Sequence, residues 1–148
     1  MNIRHAEPAD HARVAEVIDD WWGGRHMRDM FPRLFFAHFR ETSFVAEEEE
    51  GKLAAFLCGF LSQTHADEAY IHFAGVAPEH RGAGLARELY ERFFAVAREH
   101  GRTTVRCVTA PVNTGSLAFH RRLGFEIEDE MQHYDGAGES RVLLVKTL

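Results

Sequence analysis

The chain has 148 residues, 45% of them hydrophobic, and 23 acidic against 17 basic side chains give a formal net charge of −6. That length suits one compact domain over residues 1–148 with a sizeable core. The acidic balance argues against nonspecific binding of nucleic acid or an anionic membrane, and the longest apolar run, LAAFLCGFL, is too short to cross a bilayer.

The first segment, IRHA at 3–6, reads as a strand, and Pro8 then opens a helix with Val14, Val17, Ile18 and Trp21 on one side. WWGGR at 21–25 breaks it, and a second helical piece follows around 32–39. A hairpin comes next: SFVAE at 43–47, a turn within 48–52, and LAAFLCGFLS at 53–62. Its second arm lacks polar alternation, which predicts burial on both faces. EAYIHFAGVA at 68–77 is a further strand leading directly into a helix with Leu85, Leu89, Phe93 and Val96 at helical spacing. Gly101 ends that helix, TTVRCVT at 103–109 returns as a strand, and a short helix over roughly 114–123 is closed by Gly124. Two strands at 125–134 and 141–148 flank the loop DGAGES. The order β-α-α-β-β-β-α-β-α-β-β implies a mixed sheet with helices against it, an α/β or α+β domain. Cys58 and Cys107 lie in apolar runs without metal-ligand spacing and read as buried thiols, and Met1 leads into a polar segment unlike a signal peptide. A cytoplasmic protein without a metal is the expectation.

The helix after the third hairpin strand starts badly. None of Glu79, His80, Arg81, Gly82 or Ala83 can cap its first amides as Ser, Thr, Asp or Asn would, and Arg81 sits where the helix dipole disfavours a cation. Uncapped amides, two glycines that let a ligand approach the backbone, and an added positive charge suit an anion such as phosphate. A solvated helix start after a tight turn is the alternative. No Gly-Lys-Ser/Thr closes a P-loop, and GAGLAR puts Arg87 where a dinucleotide fingerprint needs its third glycine or alanine.

VAPEHRGAGLA at 76–86 resembles the acetyl-coenzyme A site of the GNAT family of N-acetyltransferases, with Arg81, Gly84 and Ala86 filling Arg/Gln-x-x-Gly-x-Gly/Ala. NTGSLAFHRRLGF at 113–125 is similar to the same family's Asn, helix and Gly-Phe segment, and the element order matches as well. The resemblance implies a GNAT fold, a mixed, mostly antiparallel sheet splayed near the acetyl-coenzyme A site. It implies that main-chain amides of Arg81, Gly82, Ala83, Gly84, Leu85 and Ala86 hold the pyrophosphate and that Val76 pairs its backbone with the pantetheine arm. Asn113 and Ser116 would bond the same cosubstrate, with a helix cap as the compatible structural role for Asn113.

The implied reaction is acetyl transfer from acetyl-coenzyme A to a primary amine of a small molecule, amino acid, peptide or protein, by direct attack in a ternary complex. An alkylamine of pKa ~10.4 must lose a proton and a thiol of pKa ~8.5 must regain one. The family's usual tyrosine acid falls at His120, which can serve if it is protonated or presents an N–H; a packing histidine beside Phe119 and Leu123 is the alternative. The family's strand glutamate base falls at about Tyr70; His72 on the same strand face could take the amine proton directly or through water, with a strand histidine bonded within the sheet as the alternative. Trp22, Arg25 and Tyr134 lie in segments that wall the acceptor cleft in this family. Arg25 there would favour an acceptor carrying a carboxylate or phosphate, unless it pairs with Asp19, Asp20 or Asp29. Trp21 and Phe31 read as core, and Glu47–Glu50 as a solvated turn. The competing function is a noncatalytic acyl-coenzyme A binding module. The resemblance further allows a homodimer through the last strands, with an amine-bearing acceptor as the partner and neither nucleic acid nor membrane.

Overall fold

In the computed structural model, which describes residues Met1–Leu148, the chain forms β1 (Asn2–His5), α1 (Asp10–Trp21), α2 (Leu34–Ala37), β2 (Phe44–Glu47), β3 (Leu53–Leu61), β4 (Glu68–Val76), α3 (Leu85–Glu99), β5 (Thr104–Thr109), α4 (Thr114–Arg122), β6 (Glu126–Met131) and β7 (Arg141–Thr147). The seven strands run in the sheet order β1-β2-β3-β4-β5-β7-β6. β4 and β5 pair in parallel, and β1–β2, β2–β3, β5–β7 and β6–β7 pair antiparallel. This is the mixed, mostly antiparallel sheet and the element order that the sequence implies. No helix is long and apolar enough to cross a membrane. By its contacts the chain divides into two compact units, residues 1–60 with 72–96, and residues 61–71 with 97–148.

In the first unit α1 buries Val14, Ile18 and Trp21, the face that its spacing marks. Phe56 on β3 receives Trp21 stacked at 6.0 Å and Phe31 edge-on at 5.0 Å, so Trp21 and Phe31 are core. β3 is buried over seven consecutive residues from Leu53, as a strand covered on both faces must be. α2 is shorter than the periodicity predicts. Four residues cannot hold a helix by propensity, and burial of Phe35 and Phe36 fixes this one instead. The helix expected to open at Pro8 starts at Asp10, whose carboxylate is 2% exposed. Arg4 donates to both its oxygens at 2.8 and 2.9 Å, Arg13 at 3.0 Å and the Glu7 amide at 2.8 Å. Burial alone would raise the Asp10 carboxyl, but these donors outweigh it and hold it below the usual carboxylate range. Glu47 accepts from Arg4 at 2.7 Å and Arg13 at 2.9 Å. Of the acidic run, Glu47 and Glu48 are therefore paired; only Glu49 and Glu50 are the exposed turn residues.

In the second unit β5 and β7 lie antiparallel and bury Val105, Cys107, Val142 and Leu144, with Leu123 and Phe125 beyond α4 also buried. The β4–β5 ladder comprises three pairs, Glu68↔Thr104, Ala69↔Val105 and Tyr70↔Arg106. Arg102 Nη1 donates to the carbonyls of Ser62, His65 and Glu68, locking the turn that feeds β4. β6 is shorter than predicted and exposed throughout. A register shift between Ile127 and Asp129 and its acidic side chains blunt it as a sheet edge.

Candidate active site

In the first unit the segment after β4 has no freedom to run straight into a helix. Ala77 N donates to Ala54 O at 2.8 Å, a 3-10 turn covers Pro78–His80, and Arg81 is extended. Gly82 and Gly84 then take φ of +83° and +82°, a region that L side chains rarely adopt. Each has open space where a Cβ would stand, so conformation rather than crowding requires glycine. The bond from Glu88 N reaches Gly84 O at 3.1 Å, which leaves the amides of Leu85 and Ala86 ahead of it at the positive end of a 15-residue helix. Contrary to the expectation for its amide, Arg81 N is taken by Pro78 O at 3.4 Å, so the amide-lined turn that suits a phosphate runs from Gly82 to Ala86.

The Arg81 side chain is engaged in holding that turn. Its Nε donates to Val76 O at 3.2 Å and its Nη2 to Trp21 O at 2.5 Å, tying the loop to the end of β4 and to the end of α1. His80 Nε2 lies 2.5 Å from Glu48 Oε1, and Lys52 donates to Glu79 at 3.0 Å. Glu48, Glu79 and His80 bring potential metal-ligand atoms within 4.8 Å of one another, each already bonded as described.

β4 carries His72, whose Nε2 lies 2.7 Å from Met30 O and whose ring stacks on Phe35 at 4.6 Å and 9°. A carbonyl only accepts, so Nε2 is the donor in this bond. Trp22 also packs on β4. It lies 5.0 Å from the Phe73 ring, and a Cβ at Gly75 would come within 2.6 Å of its indole, so this glycine permits the close approach. Between these anchors Asp19 Oδ1 accepts from the amides of Met27 at 2.8 Å and Arg28 at 3.2 Å. Arg25 is exposed and makes no ion pair with Asp19, Asp20 or Asp29.

In the second unit Asn113 caps α4, its side chain accepting from Ser116 N at 3.1 Å. One turn on, His120 is 6% exposed with Phe119 and Phe125 edge-on at 5.4 and 5.1 Å. Its Nδ1 lies 2.7 Å from Ser116 O and 3.2 Å from Ser116 Oγ, which itself accepts from Thr109 Oγ1 at 3.2 Å. The N–H that a proton-handling role needs is therefore at Nδ1 and faces a carbonyl, and Nε2 of the neutral ring is the acceptor nitrogen. Burial lowers the His120 pKa below the ordinary histidine value, and the Ser116 carbonyl only partly offsets it. Tyr70 is half-buried; burial, then Tyr134, Cys107 and Asp135 nearby, push its phenol up and keep it protonated at neutral pH. Tyr134 is 43% exposed. The buried Cys107 thiol of this unit and the Cys58 thiol of the first are both pushed well up by desolvation, so neither is a ready nucleophile.

The structure thus brings Asn113, Ser116 and His120 together on one helix, and Val76 and Arg81 into direct contact. Sequence reasoning missed the clasps, Arg81 to Trp21, His72 to Met30 and Asp19 to the Met27 and Arg28 amides. Each uses a backbone partner, which any residue type supplies and no motif records.

The model of the acetyltransferase (GNAT) family matches residues 11–125. The chain is 29% identical over 131 residues to the 5-NmdU N-acetyltransferase of Pseudomonas phage PaMx11, covering 86% of this chain and 89% of that one. It is 30% identical over 120 residues to the L-2,4-diaminobutyric acid acetyltransferase of Chromohalobacter salexigens, covering 72% of this chain and 61% of that one. Among solved structures it is similar to yncA from Salmonella typhimurium with its cofactor acetyl-CoA, with a TM-score of 0.75 and 21% identity, over 100% of this chain and 94% of that one.

Proposed function

Because the chain belongs to the GNAT acetyltransferase family and is an acetyl-CoA-dependent acyltransferase acting on amines, we propose that residues 1–148 work as one domain that acetylates a primary amine by direct attack in a ternary complex. The observation that carries this reading is the amide-lined turn over residues 82–86, with both glycines at positive φ before a 15-residue helix. Its amides fit a pyrophosphate, and Val76 at the end of β4 offers its backbone to the pantetheine arm. When bound, acetyl-CoA supplies an activated acetyl thioester.

Transfer makes a C–N bond and breaks a C–S bond, so one proton leaves the amine and one reaches the sulfur. Two buried thiols kept protonated give no support to an acyl-enzyme on cysteine, which favours direct attack. Alignment with the family's tyrosine acid points to His120 as the donor. With its Nδ1–H directed at Ser116 O and its pKa lowered, we assign it instead to accepting the amine proton at Nε2, directly or through water. Tyr70, held protonated by its surroundings, is then the candidate donor to sulfur, and Tyr134 beside it a candidate acceptor contact. His72, tied to Met30 O, becomes a positioning residue, as does Trp22 packed on β4. Asn113 keeps a side-chain amide N–H group for the cosubstrate while its oxygen caps α4, with Ser116 as a second contact. Small amino-acid-like amines are the acceptors to try first, given the relative that acts on L-2,4-diaminobutyric acid.

The test is release of thiol from acetyl-CoA with a panel of primary amines, followed by initial-velocity patterns on the best acceptor. Intersecting double-reciprocal lines support the ternary complex; parallel lines overturn it. Binding of coenzyme A without turnover on any amine would leave this chemistry unsupported.

A further inference from the structure

His133 is the one residue other than glycine with a positive φ, +59°, in a region that few L side chains adopt and that persists only where its surroundings hold it. It stands beyond Met131↔Arg141, the last pair between β6 and β7, and its own ring holds the loop there. Gly138 N donates to His133 Nδ1 at 2.8 Å. Around this bond Gly136 N donates to His133 O at 3.2 Å and Glu139 N to Gly136 O at 3.0 Å. Arg141 ties the loop from β7, pairing with Asp135 at 2.9 Å and Glu139 at 3.2 Å. The two ties differ in kind. An arginine keeps its charge at neutral and mildly acidic pH, whereas Nδ1 accepts the Gly138 amide only while it has a lone pair. The neutral ring with its hydrogen on Nε2 supplies that lone pair, and imidazolium, with a hydrogen on each nitrogen, does not. A proton on His133 therefore removes the bond and leaves a residue with a Cβ in a conformation that glycine adopts more readily. The next two residues, Tyr134 and Asp135, are those near Tyr70 of β4. The charged and titratable groups about this end of the second unit are Tyr70 on β4, Glu130 on β6, Tyr134, Asp135 and Glu139 in the loop and Arg141 on β7, and the His133 ring bonds to none of them.

We infer that His133 is a positioning residue: its neutral ring latches the β6–β7 loop and so keeps Tyr134 and Asp135 beside Tyr70, and its protonation releases them. This rests on the reading of Tyr70 as the donor to sulfur. His133 moves no proton in the reaction and acts through the surroundings of Tyr70. The latch is present at the higher pH and is lost as pH falls through the range in which histidine takes a proton, because only the neutral ring accepts.

The experiment follows protection of the Gly138 amide against hydrogen exchange, corrected for its intrinsic rate, in the full chain at about pH 8 and about pH 5, which bracket histidine titration. Protection in the wild type is expected to fall about tenfold or more at the lower pH. His133→Asn should keep it at both, because Asn tolerates this φ and its side-chain oxygen accepts the amide without titrating. His133→Ala should lack it at both. The ratio of kcat/KM between the same two pH values is then measured with the best amine. The drop at the lower pH should be about threefold or more larger in the wild type than in His133→Asn; the His120 contribution is common to both and cancels. Wild-type protection that does not change with pH overturns the inference, as does an equally protected His133→Ala. Equal drops in kcat/KM, with exchange behaving as expected, also overturn it by confining His133 to the folding of the loop. Full turnover in Tyr70→Phe overturns the reading beneath it instead, a result on which the exchange of Gly138 does not depend.

Discussion

Two helices in this protein start in opposite ways. α4 begins with Asn113, whose side chain closes on Ser116 N, and its first turn is satisfied from within the chain. α3 begins after two glycines at positive φ, and the residue before its first, Gly84, has no side chain with which to cap it. A cap stabilises a helix by about 1 kcal/mol, so omitting one at the longest helix of the fold is a cost that binding can offset. The capped helix uses its first turn to orient His120; the uncapped one has the turn on which the proposed phosphate site rests. The contrast lies in the residue before each helix, Asn113 at φ −83° with a capping side chain against Gly84 at φ +82° with none.

The strongest challenge to the capped side is His120→Phe. Loss of general acid–base catalysis costs about 10²–10⁴-fold in kcat, with coenzyme A affinity kept and the melting temperature near that of the wild type. If His120 only fills space between Phe119 and Phe125, turnover survives and the variant merely melts earlier. His120→Tyr sharpens this, because a phenol of pKa ~10 donates but does not accept at neutral pH. Turnover is expected to stay low, and recovery would restore His120 to the donor role.

On the uncapped side, Gly84→Val should raise the coenzyme A Kd about tenfold or more, equivalent to roughly 1.4 kcal/mol. Holding a β-branched residue at φ +82° also costs stability, of order 1–2 kcal/mol. Calorimetry on protein shown to be folded separates the two effects, and an unchanged Kd would remove the phosphate assignment. Arg81→Ala tests whether the clasp matters. Losing its bonds to Val76 O and Trp21 O should lower stability by about 1–2 kcal/mol in a denaturant melt, with a smaller change in coenzyme A affinity.

Asn113 links the two modes. Asn113→Ala should destabilise the protein by about 1 kcal/mol, whereas Asn113→Asp keeps an oxygen for Ser116 N and should restore the melting temperature. If the side-chain amide also bonds the cosubstrate, coenzyme A affinity falls in both variants; a fall in neither confines Asn113 to capping.

The smallest effect is a pH dependence. His120 has a lower pKa folded than unfolded, so its neutral form favours the native state. That contribution is complete above the ordinary histidine value of ~6.5 and is lost as pH falls through the lower folded value. His120→Phe should flatten this part of a stability–pH profile. In the wild type, the acid limb of kcat/KM should lie below ~6.5 if Nε2 accepts the proton.

Periodicity and glycine placement by themselves determined the element order, the α1 face, the doubly buried β3 and the amide-lined turn, since these depend on side-chain spacing and on φ angles that few residues adopt. The Asn113 cap was likewise legible, because a cap is a local bond across three residues. Only the tertiary structure decided what the histidines do. His72 stands in a strand and His120 in a helix, but neither segment names the acceptor: one faces the Met30 carbonyl 42 residues away and the other the Ser116 carbonyl of its own helix, and these acceptors fix which ring nitrogen donates. It also decided that α2 is a single turn and that Glu47 and Glu48 are paired with Arg4, Arg13 and His80. Such outcomes depend on burial and on distant backbone partners. A one-dimensional pattern carries neither, because every residue offers the same carbonyl and only the fold places it.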